Sequence, residues 1–170
     1  IDQNGDPSNP VFVSTTQDDV EISSVHSLDA EFGRGVLAVG TAVNSTGNSR
    51  IVITRFQSVL NFDALGVQDL LLNSAIAIPR NMRGVSATAS RSGETGFLIL
   101  GDETRTRGRN IWISKITLDG AVLWSTSLGA ESVDDYGAAI AELPDGRIAV
   151  LGTMGLADNQ LKMALIKVNR

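Results

Sequence analysis

The chain of 170 residues carries 14 Lys and Arg against 19 Asp and Glu, a formal charge of −5, and has no cysteine. That balance leaves no basic footprint for nucleic acid, and no apolar run approaches the roughly 20 residues needed for a membrane span. Without cysteine there is neither a disulfide framework nor a thiolate metal site.

In chain order, residues 1–10 are polar and rich in Asn, Gly and Pro, a composition that cannot bury a core. They read as a solvated tether before a single domain over residues 11–170. Residues 11–14, Val-Phe-Val-Ser, are a short apolar run without an assigned partner. Three longer units follow, over about 20–66, 80–129 and 134–170.

Each unit contains an apolar run ending in Gly and a second apolar run ending in a base. The first runs, 36–41, 97–102 and 148–153, place Gly40, Gly101 and Gly152 next to last. The second runs, 51–56, 111–116 and 163–168, place Arg55, Lys115 and Lys167 next to last. Gly and base lie 15, 14 and 15 positions apart in the three units. Small residues precede the first run at 84–89 and 137–141, and less regularly at 23–28, where they permit close backbone approach. An alternating stretch ending in Leu-Gly follows the second run at 58–66 and 121–129. Turn residues at Leu118-Asp119-Gly120 and Pro144-Asp145-Gly146 bound the strands.

The pattern predicts four short strands per unit, with Leu100 and Leu151 in buried central strands. The connection at 67–78, with Leu70, Leu71 and Leu72, is an insertion between units, within which a short helix is as compatible with the sequence as none.

Four strands on a period near 50 is the dimension of a propeller blade. The Gly-Thr strand end, the base closing the next strand, Leu118-Asp119-Gly120 and Val122-Leu123-Trp124 together resemble the β-propeller repeats of bacterial secreted and cell-surface proteins. The stretch from Asp119 to Trp124 is also similar to repeats of quinoprotein-type propellers. The resemblance covers nearly all of residues 20–170, although Asn61 replaces the Trp124 equivalent in the first unit. It implies an all-β, propeller-like array of three four-stranded blades, a partial ring or half-propeller. It also implies an extracytoplasmic setting, whether periplasmic, secreted or surface-anchored as a lipoprotein.

Three blades do not close a ring, since propellers typically have four to eight. A homodimer of half-rings or a longer repeat protein would supply the rest, with residues 11–14 as the expected strand beside 163–168.

The chemistry-bearing residues are sparse. His26 is the one histidine, which excludes a two-histidine metal pair, and no triad is marked around it. Asp2, Asn4 and Asp6 have the spacing that opens a calcium loop, but Pro7 stands where the turn glycine belongs. The carboxylate pairs Asp18-Asp19, Asp102-Glu103 and Asp134-Asp135 lie in or near expected loops, where acid and base roles are conceivable but solvation is the usual explanation.

Arg105, Arg107 and Arg109 cluster between two strands of the second unit, as a charged hairpin tip or a contact for an anionic partner. Trp112 and Trp124 are the aromatic candidates for stacking on a sugar. The binding set is therefore Arg105, Arg107, Arg109, Asp102, Glu103 and Trp112, with no catalytic or metal residue and no cofactor called for. The expected function is a non-catalytic binding or scaffold domain for a protein or glycan, set against a propeller enzyme or a carbohydrate-binding module.

Overall fold

The computed structural model describes residues 19–57, 68–71, 81–130, 132–156 and 160–169. These form three antiparallel sheets. Sheet 1 contains β1 (Asp19–Leu28), β2 (Gly35–Val43), β3 (Ser49–Gln57) and β4 (Gln68–Leu71), hydrogen-bonded in that order. Sheet 2 contains β5 (Met82–Ser90), β6 (Gly96–Arg105), β7 (Gly108–Thr117) and β8 (Val122–Leu128), again in sequence order. Sheet 3 contains β9 (Tyr136–Glu142), β10 (Ile148–Gly155) and β11 (Leu161–Val168), with β10 central.

The Gly-ended runs are β2, β6 and β10, each flanked on both sides by other strands. Opposite each glycine the first strand of the sheet bulges by one residue. The register slips between Ile22 and Ser24 in β1, between Gly84 and Ser86 in β5, and between Gly137 and Ala139 in β9. Beyond the bulge the pairings coincide: Val39 lies opposite Ile53, Leu100 opposite Ile113 and Leu151 opposite Leu165. The two turns expected from Asp-Gly form, with Gly120 at φ 87° and Gly146 at φ 80°, a conformation glycine adopts without the Cβ penalty.

Strand alternation sends successive side chains to opposite faces, and sheet 2 meets a neighbouring sheet on each of its faces. Leu37, Val39, Ile51 and Ile53 of sheet 1 pack against Phe97, Ile99, Trp112 and Ile116 of sheet 2. Leu98, Leu100, Ile111 and Ile113 of sheet 2 pack against Ile140, Ile148 and Val150 of sheet 3. Phe32 plugs the end of the first layer from a single 3-10 turn, Ala30–Phe32, capped by Asp29. Its ring lies 5.9 Å from Phe97.

The structure departs from the sequence expectations within 67–78 and at Leu151. Within 67–78 the described residues are strand: Gln68–Leu71 pairs antiparallel with β3 and closes sheet 1. The alternating stretch at 58–66 and the run at 11–14 lie outside the described residues. Leu151 is not buried as expected but 39% exposed, because it lies on the outer face of sheet 3, which no described sheet covers.

Candidate functional site

The residue after the glycine in β2 and in β6 points toward the next sheet. In sheet 1 this is Thr41, whose Oγ1 accepts the Gly84 N–H of β5 at 3.1 Å. In sheet 2 it is Asp102, whose Oδ1 accepts the Gly137 N–H of β9 at 2.8 Å. The two bonds are equivalent. Each satisfies a backbone donor that the bulge frees from the strand ladder.

A carboxylate has a second oxygen where threonine has a methyl group. Asp102 is 1% exposed, and its Oδ2 has no hydrogen-bond partner; Arg83 Nη1 stands 3.9 Å away. Burial pushes the Asp102 carboxyl above its ordinary value, against the opposing pull of the Gly137 N–H and the charges of Arg109 and Arg83. Around it lies a cleft of about 350 Å³ lined by Glu21, Thr41, Asn81, Arg83, Asp102 and Arg109, among others. Sheets 1 and 2 both contribute to its lining. Its arginines offer donors and its carboxylates offer acceptors within one small volume.

The remaining sequence candidates separate. Arg109 joins Asp102 at the cleft, with its guanidinium 5.2 Å from the Tyr136 ring centroid. Arg105 turns the other way and binds buried Glu103, Nη2 to Oε2 at 3.0 Å, where Ser127 Oγ also donates at 2.8 Å. Arg107 sits in the β6–β7 turn and lines a different hollow with Arg105 and Asn110. Alternation explains the split. Odd-numbered residues of β6 face sheet 1, whereas odd-numbered residues of β7 face sheet 3. By the same rule, neighbouring Asp102 and Glu103 point to opposite faces and do not work as a carboxylate pair.

Trp112 is 3% exposed in the layer between sheets 1 and 2, so the expected stacking surface is a core residue. Trp124 packs beside the layer between sheets 2 and 3. Asp135 is also structural. Buried, it accepts the Gly155 N–H at 2.8 Å and the Ala130 N–H at 3.1 Å. Half-buried His26 lies in β1 opposite Leu37. Among the described residues no group of three or more His, Asp or Glu could hold a metal ion. No helix among them is long and apolar enough to cross a membrane.

Sequence reading did not single out Glu21, Asn81 or Arg83. Arg83 precedes the small-residue run of β5, and its neighbour Gly84 was the available signal. A scan against family models, a search of curated proteins and a search of solved structures each found no match.

Proposed function

We propose that the chain is a non-catalytic binding or scaffold domain of an extracytoplasmic protein. Its three sheets are read as successive blades of a propeller-like array, and the cleft around Asp102 as its recognition site. The observation that carries the site is the Asp102 carboxylate: Oδ1 is fixed by Gly137, and Oδ2 is left beside Arg83 at the wall of a cleft shared by two sheets. The repeated Thr41 and Asp102 bonds support the array reading, and the resemblance of the repeats to those of secreted propellers supports the setting.

The cleft suits a group that both donates and accepts hydrogen bonds, as the polar side chains of a protein loop do. Burial of Trp112 weighs against a sugar platform, because a pyranose ring is held chiefly by an exposed aromatic face. The reading is tested by titrating isotope-labelled protein with a short zwitterionic Glu-Lys peptide and, separately, with a neutral oligosaccharide. The peptide is expected to shift the Gly137 and Arg109 amide resonances, and the R83A/R109A variant to abolish the shift. Equal response of wild type and variant would overturn the proposal.

A further inference from the structure

Three contacts repeat between successive sheets. Val39 of β2 lies against the Gly84 position of β5, where an added Cβ would stand 3.1 Å from its methyl. Leu100 of β6 lies against Gly137 of β9 in the same way, 2.9 Å from such a Cβ. Ile51 of β3 covers Gly101, and Ile111 of β7 covers Gly152, their Cδ1 atoms 2.6 Å and 2.9 Å from where a Cβ would stand. The third contact is the bond from Thr41 or Asp102 to the glycine N–H of the next sheet.

Sheet 3 carries the third copy of every residue that the preceding sheet contributes to these contacts. Leu151 stands where Val39 and Leu100 stand, Met163 where Ile51 and Ile111 stand, Leu165 where Ile53 and Ile113 stand, and Thr153 where Thr41 and Asp102 stand. The equivalents in sheets 1 and 2 are buried, yet Leu151, Met163 and Leu165 are 39%, 83% and 77% exposed. Apolar side chains so exposed side by side mark an interaction surface.

We infer that the outer face of sheet 3 docks a further β-sheet of this same repeat, one with glycine at the positions of Gly137 and Gly152 and a free N–H at the first of them. The face continues an interface already used twice within the chain, which is why the occupant is a sheet rather than a helix or a lipid surface. A second copy of this chain does not meet the requirement. The first sheet has Ile22 at the position of Gly84 and Gly137, and a side chain there fills the slot that Leu151 would enter. On the side of sheet 1 away from sheet 2, Ala38 and Val52 are already buried. The inference extends the array reading and is independent of the Asp102 cleft.

The test appends to the full chain a second copy of residues 132–169, which brings its own Gly137 and Gly152 slots. A second form appends residues 81–169, which brings the apolar layer between sheets 2 and 3 and so does not depend on docking to fold. With Met163→Leu in the appended copy, covering the face is expected to slow peroxide oxidation of the original Met163 at least tenfold, read by peptide mass spectrometry. Gly137→Val in the 132–169 copy, or Gly84→Val in the 81–169 copy, is expected to restore the rate. Unchanged Met163 oxidation in both extended proteins overturns the inference. Protection of Met163 in the unextended chain that rises with protein concentration, together with dimer formation in sedimentation, also overturns it in favour of self-association.

Discussion

Ile111 of β7 sits directly over Gly152 of β10. A Cβ on Gly152 would lie 2.9 Å from Ile111 Cδ1 and 2.6 Å from the Tyr136 carbonyl oxygen. The side chain can turn aside, but the carbonyl belongs to the strand ladder and cannot. Gly152→Ala is therefore expected to cost about 1–3 kcal/mol through overpacking. Gly47, unlike Gly152, has a positive φ, 82°, and nothing within 4 Å of such a Cβ, so Gly47→Ala pays a backbone penalty without a clash. Urea melts of the two variants separate the effects. A loss well below about 1 kcal/mol at Gly152 would show that close approach between sheets 2 and 3 does not constrain it.

Leu100 and Leu151 occupy the same position in successive repeats, yet they face different surroundings. Leu100 is fully buried between sheets 2 and 3, and Leu151 is half-exposed on the outer face. Leu100→Ala is expected to cost about 2–5 kcal/mol, the range for a cavity in a packed core. Leu151→Ala is expected to stay below about 1 kcal/mol, as surface substitutions do. Denaturant midpoints measure both. A large loss at Leu151 would mean that its face is covered in solution.

The central strands were legible because an apolar run ending in Gly survives in all three repeats, and the close approach of Gly84 and Gly137 to the preceding sheet explains the small residues before it. β4 was not legible, because Gln68–Leu71 lies in a longer connection without period-two alternation. The arginine triplet looked like one cluster in sequence, but its members lie on two strands and a turn of one hairpin, whose phases only the register sets. Asp102 was visible as a polar residue at a strand end. Its role was not, because equivalence with Thr41 emerges only when Gly84 and Gly137 are seen to bulge alike. Phe32 was missed because its burial depends on a single 3-10 turn, signalled by no more than Asp29 before it and Gly33 after it.

Asp102 does the work of Thr41 with a charge that its surroundings disfavour. Asp102→Thr keeps an acceptor for the Gly137 N–H and removes the buried carboxylate, so it is expected to be neutral or stabilising at pH 7. Asp102→Ala removes the acceptor and is expected to be less stable than Asp102→Thr by about 1 kcal/mol, the usual net value of such a bond. The sign of the pH dependence follows from the raised folded value. The native state holds its proton longer than the unfolded chain, so wild-type stability falls as pH rises from about 4, where an unfolded Asp ionises, through that folded value. Asp102→Thr should lack this component, and its advantage over wild type should grow across that window and then stay constant. Parallel stability curves would refute a buried charge at Asp102.

Glu142 at the end of β9 supplies the opposite dependence and also joins two sheets. Its Oε1 accepts from Ser90 Oγ at 2.9 Å and the Ser92 N–H at 3.0 Å, and its Oε2 accepts the Arg91 N–H at 2.6 Å. Burial by itself would raise this carboxyl, but the donors from Arg91, Ser90 and Ser92 outweigh it and hold the group below its ordinary value. The unfolded chain therefore binds the proton more readily than the native state. The stabilisation is complete above about pH 4.3, where an unfolded Glu ionises, and is lost as pH falls through the lower folded value. Glu142→Gln retains one acceptor oxygen but places an amide where the second carboxylate oxygen receives a donor. It is expected to lower stability at pH 7 by about 1 kcal/mol, and the gap to wild type should narrow below about pH 4.3. Thermal melts of both proteins from pH 3 to 7 decide the matter. A gap that stays constant over that range would mean that the ionised carboxylate does not hold the turn after β5 against sheet 3.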